Sequence, residues 1–199
     1  MSMINKGFHG NRAVPARELP PGQHLATDFP VLQKGPTPGI DLATWRFSIR
    51  AENGVRQTWT WAQFQRLRQQ RVTADIHCVT SWSKLDTEWV GVSLDTLFES
   101  VDTAADFALV GSYDGYTTNL PLTDLLGGKA WIAHSYQGRP LPAAHGGPAR
   151  LLVPHLYFWK SAKWVRSIDL NVTDVQGFWE RLGYHNYGDP WREQRYAGD

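Results

Sequence analysis

Cys78 is the only cysteine in this chain of 199 residues, so it has no disulfide partner within the chain. It sits in the run Ile76-His77-Cys78-Val79-Thr80-Ser81-Trp82-Ser83. Two later runs combine glycine, proline and basic residues: His145-Gly146-Gly147-Pro148-Ala149-Arg150 and Lys160-Ser161-Ala162-Lys163-Trp164. A soft sulfur upstream with anion-binding groups downstream is what a metal held by a phosphorylated organic cofactor requires. Thiolate suits Cu(I), zinc or heavier thiophilic metals rather than magnesium or calcium. Zinc sites normally take four protein ligands at close spacings, and the chain has neither Cys-x-x-Cys nor His-x-x-x-His. His77 points to the opposite face of a strand from Cys78, so the two do not easily share one metal. A metal on Cys78 would therefore take most of its ligands from a cofactor. Packing is the alternative, since Cys78 continues the apolar alternation of Val72, Ala74 and Ile76, and free cysteine is among the most buried residue types.

In the second run, Gly146 and Gly147 let backbone approach a ligand closely, and Pro148 stiffens the exit. The planar fork of Arg150 can clamp a phosphate, and His145 can donate to the same group. In the third run, small Ser161 and Ala162 beside Lys163 allow backbone N–H groups and an ammonium to face one anion. Taken singly, these runs also read as a Gly-Pro turn and a solvated loop.

The elements that must position these groups follow from patterning. Residues 1–40 are rich in Pro and Gly and read as an extended arm lying over one domain that spans 1–199. Trp45–Ile49 alternates as a half-buried strand, Asn53-Gly54 turns it back, and Thr60 caps a short helix carrying Trp61, Phe64 and Leu67. Val72 to Cys78 is a strand running into a polar loop at residues 79–83. A helix begins near Ser93, a strand covers Phe107–Val110, and Asp114-Gly115 turns. Thr123 starts a short helix that stops at Gly127-Gly128. Trp131–Tyr136, Arg150–Val153 and Ile168–Val172 are further strands. Short strands with few short helices predict an α+β class, strand-dominated, with mixed sheets.

Composition narrows the function classes. The chain is 42% hydrophobic and 20% charged with a formal net charge of +1, so it has no field to gather nucleic acid or an anionic membrane. No stretch approaches the roughly 20 apolar residues of a membrane span. Met1–Gly7 has no apolar h-region and no twin arginine, from which a cytoplasmic protein is expected. Ten Trp and seven Tyr fill cores and also suit a pocket for a flat heterocycle.

Together, Cys78-Val79-x-x-Trp82-Ser83, Trp89-x-Gly91-x-x-Leu94, His145-Gly146-Gly147-Pro148-x-Arg150 and Lys160–Trp164 resemble the molybdopterin-binding domain of the sulfite oxidase family. The likeness covers roughly residues 40–172 and extends to the small prokaryotic members and to catalytic subunits of periplasmic methionine sulfoxide reductase. It implies that Cys78 coordinates molybdenum alongside the pterin's dithiolene sulfurs. It also implies that His145, Arg150, Ser161, Ala162 and Lys163 contact the phosphate side of the molybdenum-molybdopterin cofactor. Lys34, beside Gly35, is a further candidate for the phosphate, and Trp82, Tyr113 and Tyr116 are candidates for the pocket around the metal. One departure is that Thr80-Ser81-Trp82-Ser83 stands where sulfite oxidases carry an arginine. The implied activity is two-electron oxygen-atom transfer on a small substrate such as sulfite or an S- or N-oxide, with a separate electron-transfer protein as partner. Two alternatives stay open: a thiol enzyme using Cys78 with His134, His145 or His155 as base, and a carrier of the cofactor without turnover.

Overall fold

The computed structural model describes residues 17–199. The first sixteen residues of the expected arm lie outside the described residues. The rest of the arm carries β1 (His24–Leu25), which pairs in parallel with the start of a much longer strand. A hairpin follows, β2 (Arg46–Arg50) with β3 (Arg56–Thr60), in which Phe47 and Ile49 face inward. Thr60 then begins α1 (Trp61–Arg66) with a capping box: its hydroxyl accepts from Gln63 N, and the Gln63 side chain accepts from Thr60 N. Two of the helix's orphan donors are met this way.

β4 (Gln69–His77) runs antiparallel to β5 (Trp82–Ser93), and Ser93 caps α2 (Leu94–Phe98). Next come β6 (Phe107–Ser112), β7 (Thr117–Pro121), β8 (Trp131–Tyr136), β9 (Arg139–Pro140), β10 (Arg150–Leu152), β11 (Val165–Asn171) and α3 (Phe178–Arg181). One sheet has six strands, with β4, β1 and β8 all pairing β5, and with β8 carrying β10 and β9. The other has five, in the order β3-β2-β11-β6-β7. β1 with β5 and β2 with β11 are parallel, and the remaining pairs are antiparallel. The strand-dominated α+β class with mixed sheets and short helices is borne out.

Three stretches differ from the reading of the sequence. Trp82–Ser93, taken in part as a polar loop, is a twelve-residue strand, because β5 is paired along both edges and needs no clean alternation there. Thr117–Pro121 is polar in sequence yet has Thr118 and Asn119 buried. The helix expected at Thr123 is a single 3-10 turn, Leu122–Asp124. Beyond it the N–H groups of Gly127 and Gly128 each donate to the Asp95 carboxylate at 2.7 Å.

The main core joins both sheets through Phe47, Val92, Val110, Ile132, Leu151 and Ile168. Their immediate neighbours Ala133 and Leu152 face the other side of the six-stranded sheet, as strand alternation requires. There they join Ile76, Cys78, Trp82, Trp89, Leu141 and Phe158 in a second cluster. Cys78 thus belongs to the layer beneath which the arm lies: the Phe29 ring is 6.0 Å from Trp82, 5.9 Å from Phe158 and 4.0 Å from His145. Among the described residues no helix is long and apolar enough to cross a membrane.

The register of β5 on β8 shifts at Gly91, where a Cβ would meet Ile132 O at 2.4 Å and Ala133 Cα at 2.7 Å. Backbone cannot yield as a side-chain tip does. Gly91→Ala is therefore expected to lower stability by about 2–3 kcal/mol, the upper part of the overpacking range, read from the urea unfolding midpoint.

Candidate functional site

β4 delivers Cys78 into a tight turn. Ser81 N donates to Cys78 O at 3.0 Å, Cys78 N donates to Trp82 O at 2.8 Å, and Ser81 has φ +71°. Alternation sends His77 the other way, with Nδ1 2.8 Å from Ser83 Oγ. The Cys78 residue is 7% exposed, and its Sγ lies 3.2 Å from Thr80 Oγ1. Burial pushes the thiol pKa up, opposed by the Thr80 hydroxyl, nearby backbone donors and the Arg195 charge. Without a metal the group is held as a thiol.

Cys78 forms part of the wall of a cavity of about 290 Å³. Val79, Thr80 and Trp82 adjoin it, and Arg150, Ser161, Ala162, Lys163 and Trp164 form another wall. The arm contributes Phe29 to Lys34 in part, β6 and its turn contribute Asp114 and Tyr116, and Trp179 and Tyr184 come from the C-terminal region. The fold thereby brings together the cysteine run, the end of the Gly-Pro run and the lysine run.

Arg150 is 1% exposed. Its Nη1 donates to His145 O at 2.9 Å, Nη2 to Ser161 O at 2.5 Å and Nε to Leu151 O at 3.3 Å. The guanidinium lies 4.0 Å from the Phe158 ring centroid. It has no carboxylate partner among the ion pairs of the described residues. Burial lowers its pKa to about 9. A guanidinium has five N–H donors, so three serve carbonyls and two remain. Lys163 is similar: it donates to Ala144 O at 2.6 Å, has no carboxylate partner among the ion pairs of the described residues, and has its pKa lowered to about 8, by burial first and Arg150 second, against the pull of Asp114. Gly146, at φ +107°, makes this closeness possible, since a Cβ there would sit 3.0 Å from both Arg150 Cβ and Lys163 Cα.

The other expected residues divide. Ser161 Oγ accepts from Val153 N at 2.9 Å, which fixes the loop whose carbonyl Arg150 holds. Lys34 reaches the cavity rim with Nζ 3.1 Å from Asp114 O and 3.8 Å from Asp114 Oδ2, so its charge already has a partner. His145 is not brought to the cavity wall. Its ring stacks on Phe29, and burial, Lys163 and Arg150 lower its pKa, so its carbonyl rather than its ring does the holding. Tyr113 is not brought there either, because its hydroxyl accepts from Arg46 N at 2.6 Å and donates to Arg46 O at 2.7 Å. Tyr116 lines the cavity, and its hydroxyl donates to Trp159 O at 2.8 Å. Lys160, from the same run, is turned away into a buried pair with Glu180 at 2.7 Å.

Sequence reasoning missed Phe29, Asp114, Phe158 and Trp159 as wall residues; no local pattern marks them. The thiol-enzyme alternative finds no geometry. His134 bonds Gln69 at 2.9 Å and His155 bonds Asp124 at 3.1 Å, while the partner of Cys78 Sγ is Thr80.

A molybdopterin cofactor fits this donor set. The cavity offers one soft sulfur and two cations without counter-carboxylates among the described residues, and Nε1 of Trp82 in its wall is buried with no hydrogen-bond partner. Cys78 would hold the metal, and Arg150 with Lys163 would take the phosphate.

Comparison with known proteins agrees with that chemistry. Residues 34–179 match the oxidoreductase molybdopterin binding domain, and the chain belongs to that family. The uncharacterized oxidoreductase YuiH of Bacillus subtilis is 40% identical over 184 residues, 91% of this chain and 93% of that protein. The protein-methionine-sulfoxide reductase catalytic subunit MsrP of Pseudomonas syringae is 28% identical over 57% of this chain and 39% of its own length. In fold, the sulfane dehydrogenase SoxCD of Paracoccus pantotrophus matches with a TM-score of 0.63 and 19% identity, over 70% of this chain and 41% of that one. The chain is a molybdopterin-dependent oxidoreductase of the sulfite oxidase type, of the oxygen-atom-transfer class, as its motifs led us to expect.

A pH dependence follows from Lys163. Its folded pKa of about 8 lies below the ordinary lysine value, so it is charged below that pH and neutral above it. Uptake of molybdopterin by the cofactor-free protein should fall as pH rises through about 8. Lys163→Met should remove that fall, measured as pterin bound per chain across the range.

Proposed function

We infer that the chain transfers an oxygen atom to or from a small S- or N-oxo compound and exchanges electrons with a separate protein. The observation that carries this reading is the placement of the Cys78 thiol in the same cavity wall system as the unpaired cations Arg150 and Lys163. Bound there, the molybdenum cofactor supplies a two-electron redox couple.

The protein's own residues bind, neutralise and enclose. Metal loading deprotonates Cys78 Sγ, so burial of the thiol couples cofactor entry to release of a proton. Arg150 and Lys163 neutralise the phosphate, with Ser161 and Ala162 shaping the loop between them. Trp82, Phe158, Trp179 and Tyr184 wall the cavity with rings and keep water from the reacting centre. That lining favours a compact substrate with an apolar flank. A relative named as a methionine-sulfoxide reductase catalytic subunit points the same way and to the need for a further subunit or carrier. One cysteine in the chain leaves no thiolate set for an iron–sulfur relay, which supports an external electron partner. For the working compartment we propose the cytoplasm, where a single thiol awaiting its metal meets a reducing pool; cell fractionation checks this.

Wild type and Cys78→Ser, purified side by side from a host that makes the cofactor, provide the test. The wild type should carry near-stoichiometric molybdenum by elemental analysis and oxidise reduced viologen with a sulfoxide or N-oxide, or reduce ferricyanide with sulfite. Cys78→Ser should keep pterin but lose at least about a hundredfold in turnover, the scale of losing a transition-state interaction worth nearly 3 kcal/mol. A wild type without molybdenum or pterin would overturn the reading.

A further inference from the structure

The turn that presents Cys78 is not held by its own strands alone. Cys78 O accepts from Ser81 N and, at 3.1 Å, from the Gln23 side chain. Ser81 O accepts from His24 N at 2.9 Å. Between them, Val79 O points to the opposite end of the sequence and accepts from Arg195 Nη1. Arg195 Nη2 reaches Pro21 O at 3.4 Å, so one guanidinium bridges the metal-ligand turn and the arm. The arm makes room for it at Gly22, at φ +68°, where a Cβ would lie 3.1 Å from Arg195 Nη2.

The tail fixes this arginine firmly. Arg195 N donates to Asp199 Oδ2 at 2.9 Å, and Arg195 O accepts from His185 N at 3.0 Å. Tyr184 and Tyr196 pair as an isolated bridge on either side, and the guanidinium lies 5.1 Å from the Tyr157 ring centroid. Its nearest carboxylate, on Glu193, is 4.0 Å away and half exposed. This segment lies beyond residues 34–179, the span that matches the family.

We propose that Arg195 is a positioning residue for the metal site, clamping the Val79 carbonyl so that the Cys78 turn keeps the shape that presents Sγ to the cavity. It acts through the backbone and touches neither metal nor substrate. A charged donor on a carbonyl is stronger than a neutral one, and Ser81, at positive φ, holds a conformation that the surroundings must maintain. The proposal rests on Cys78 as the metal ligand, and its test separates the two.

In the cofactor-free protein, on the high-pH plateau where the thiol is ionised in every variant and loss of the Arg195 charge no longer changes the thiolate fraction, Arg195→Met should speed alkylation of Cys78 by iodoacetamide about tenfold, the scale set by losing one charge-assisted hydrogen bond. Arg195→Lys, which keeps a cationic donor, should recover most of the wild-type rate. Arg192→Gln, on the same tail without a bond to the turn, should match the wild type. In the loaded protein, Arg195→Met should release molybdenum faster on dialysis against chelator and alter the electron paramagnetic resonance spectrum of the half-reduced metal. Melting temperature, followed in parallel, separates a local clamp from general loosening of the tail. An unchanged alkylation rate in Arg195→Met overturns the proposal, and so does a rise fully matched by loss of melting temperature in both Arg195 variants. If the wild type held no molybdenum, the ligand reading would fall, while the alkylation series would still decide for or against the clamp.

Discussion

A guanidinium buried without a carboxylate is the constraint around which this site is organised. Arg150 is surrounded by carbonyl oxygens of His145, Leu151 and Ser161 and faces the Phe158 ring. Those partners satisfy its donors only in part and leave its charge uncompensated. An isolated charge in a low-dielectric interior is costly, and a fold retains one where an anion is to be met. The same three carbonyls belong to the loop before β10, to β10 itself and to the loop after it. Arg150 therefore draws together the two basic runs and creates the positive wall in one stroke. Lys163, pressed against it, loses charge stability for the same reason. Both effects reverse once a phosphate arrives, so the site stores its affinity as electrostatic frustration.

The sulfur side follows the opposite logic. Cys78 lies among Ile76, Trp82, Trp89 and Phe158, an environment that disfavours a free thiolate. A thiophilic metal changes this because its bond to sulfur replaces the lost solvation. One cavity thus prepares two incompatible surroundings, apolar for sulfur and cationic for phosphate. A cofactor carrying a metal at one end and a phosphate at the other reconciles them, whereas a free metal ion or a free phosphate would answer only half.

Much of this was legible in the sequence, and the failures have a common cause. Cys78, Arg150, Ser161, Ala162 and Lys163 line one cavity, and residue type, local turn chemistry and the family resemblance had together singled them out. Helix α1 was readable from the Thr60 cap and the spacing of Trp61, Phe64 and Leu67, while the Gln63 half of its capping box emerged only in the structure. β5 was not, because a strand paired on both edges takes its conformation from β4, β1 and β8 rather than from its own alternation. His145 and Tyr113 were assigned by motif and by type, but tertiary neighbours decided them: Phe29 covers one ring, and the backbone of Arg46 takes the other's hydroxyl. Lys160 and Glu180, twenty residues apart, form a fully buried pair whose existence no local pattern announces.

The ends of the chain sharpen that contrast. Strands β4, β8 and β10 build the platform, yet the turn bearing Cys78 borrows hydrogen-bond partners from Gln23 and His24 of the arm and from Arg195. A turn with a residue at positive φ cannot rely on the sheet to hold it, since the ladder ends at His77. Its carbonyls must find donors, and the strands beside it have already committed theirs. Segments at either end can supply donors without disturbing the sheet. The platform therefore sets where the cavity lies, and the two ends set how firmly the Cys78 turn is held against it.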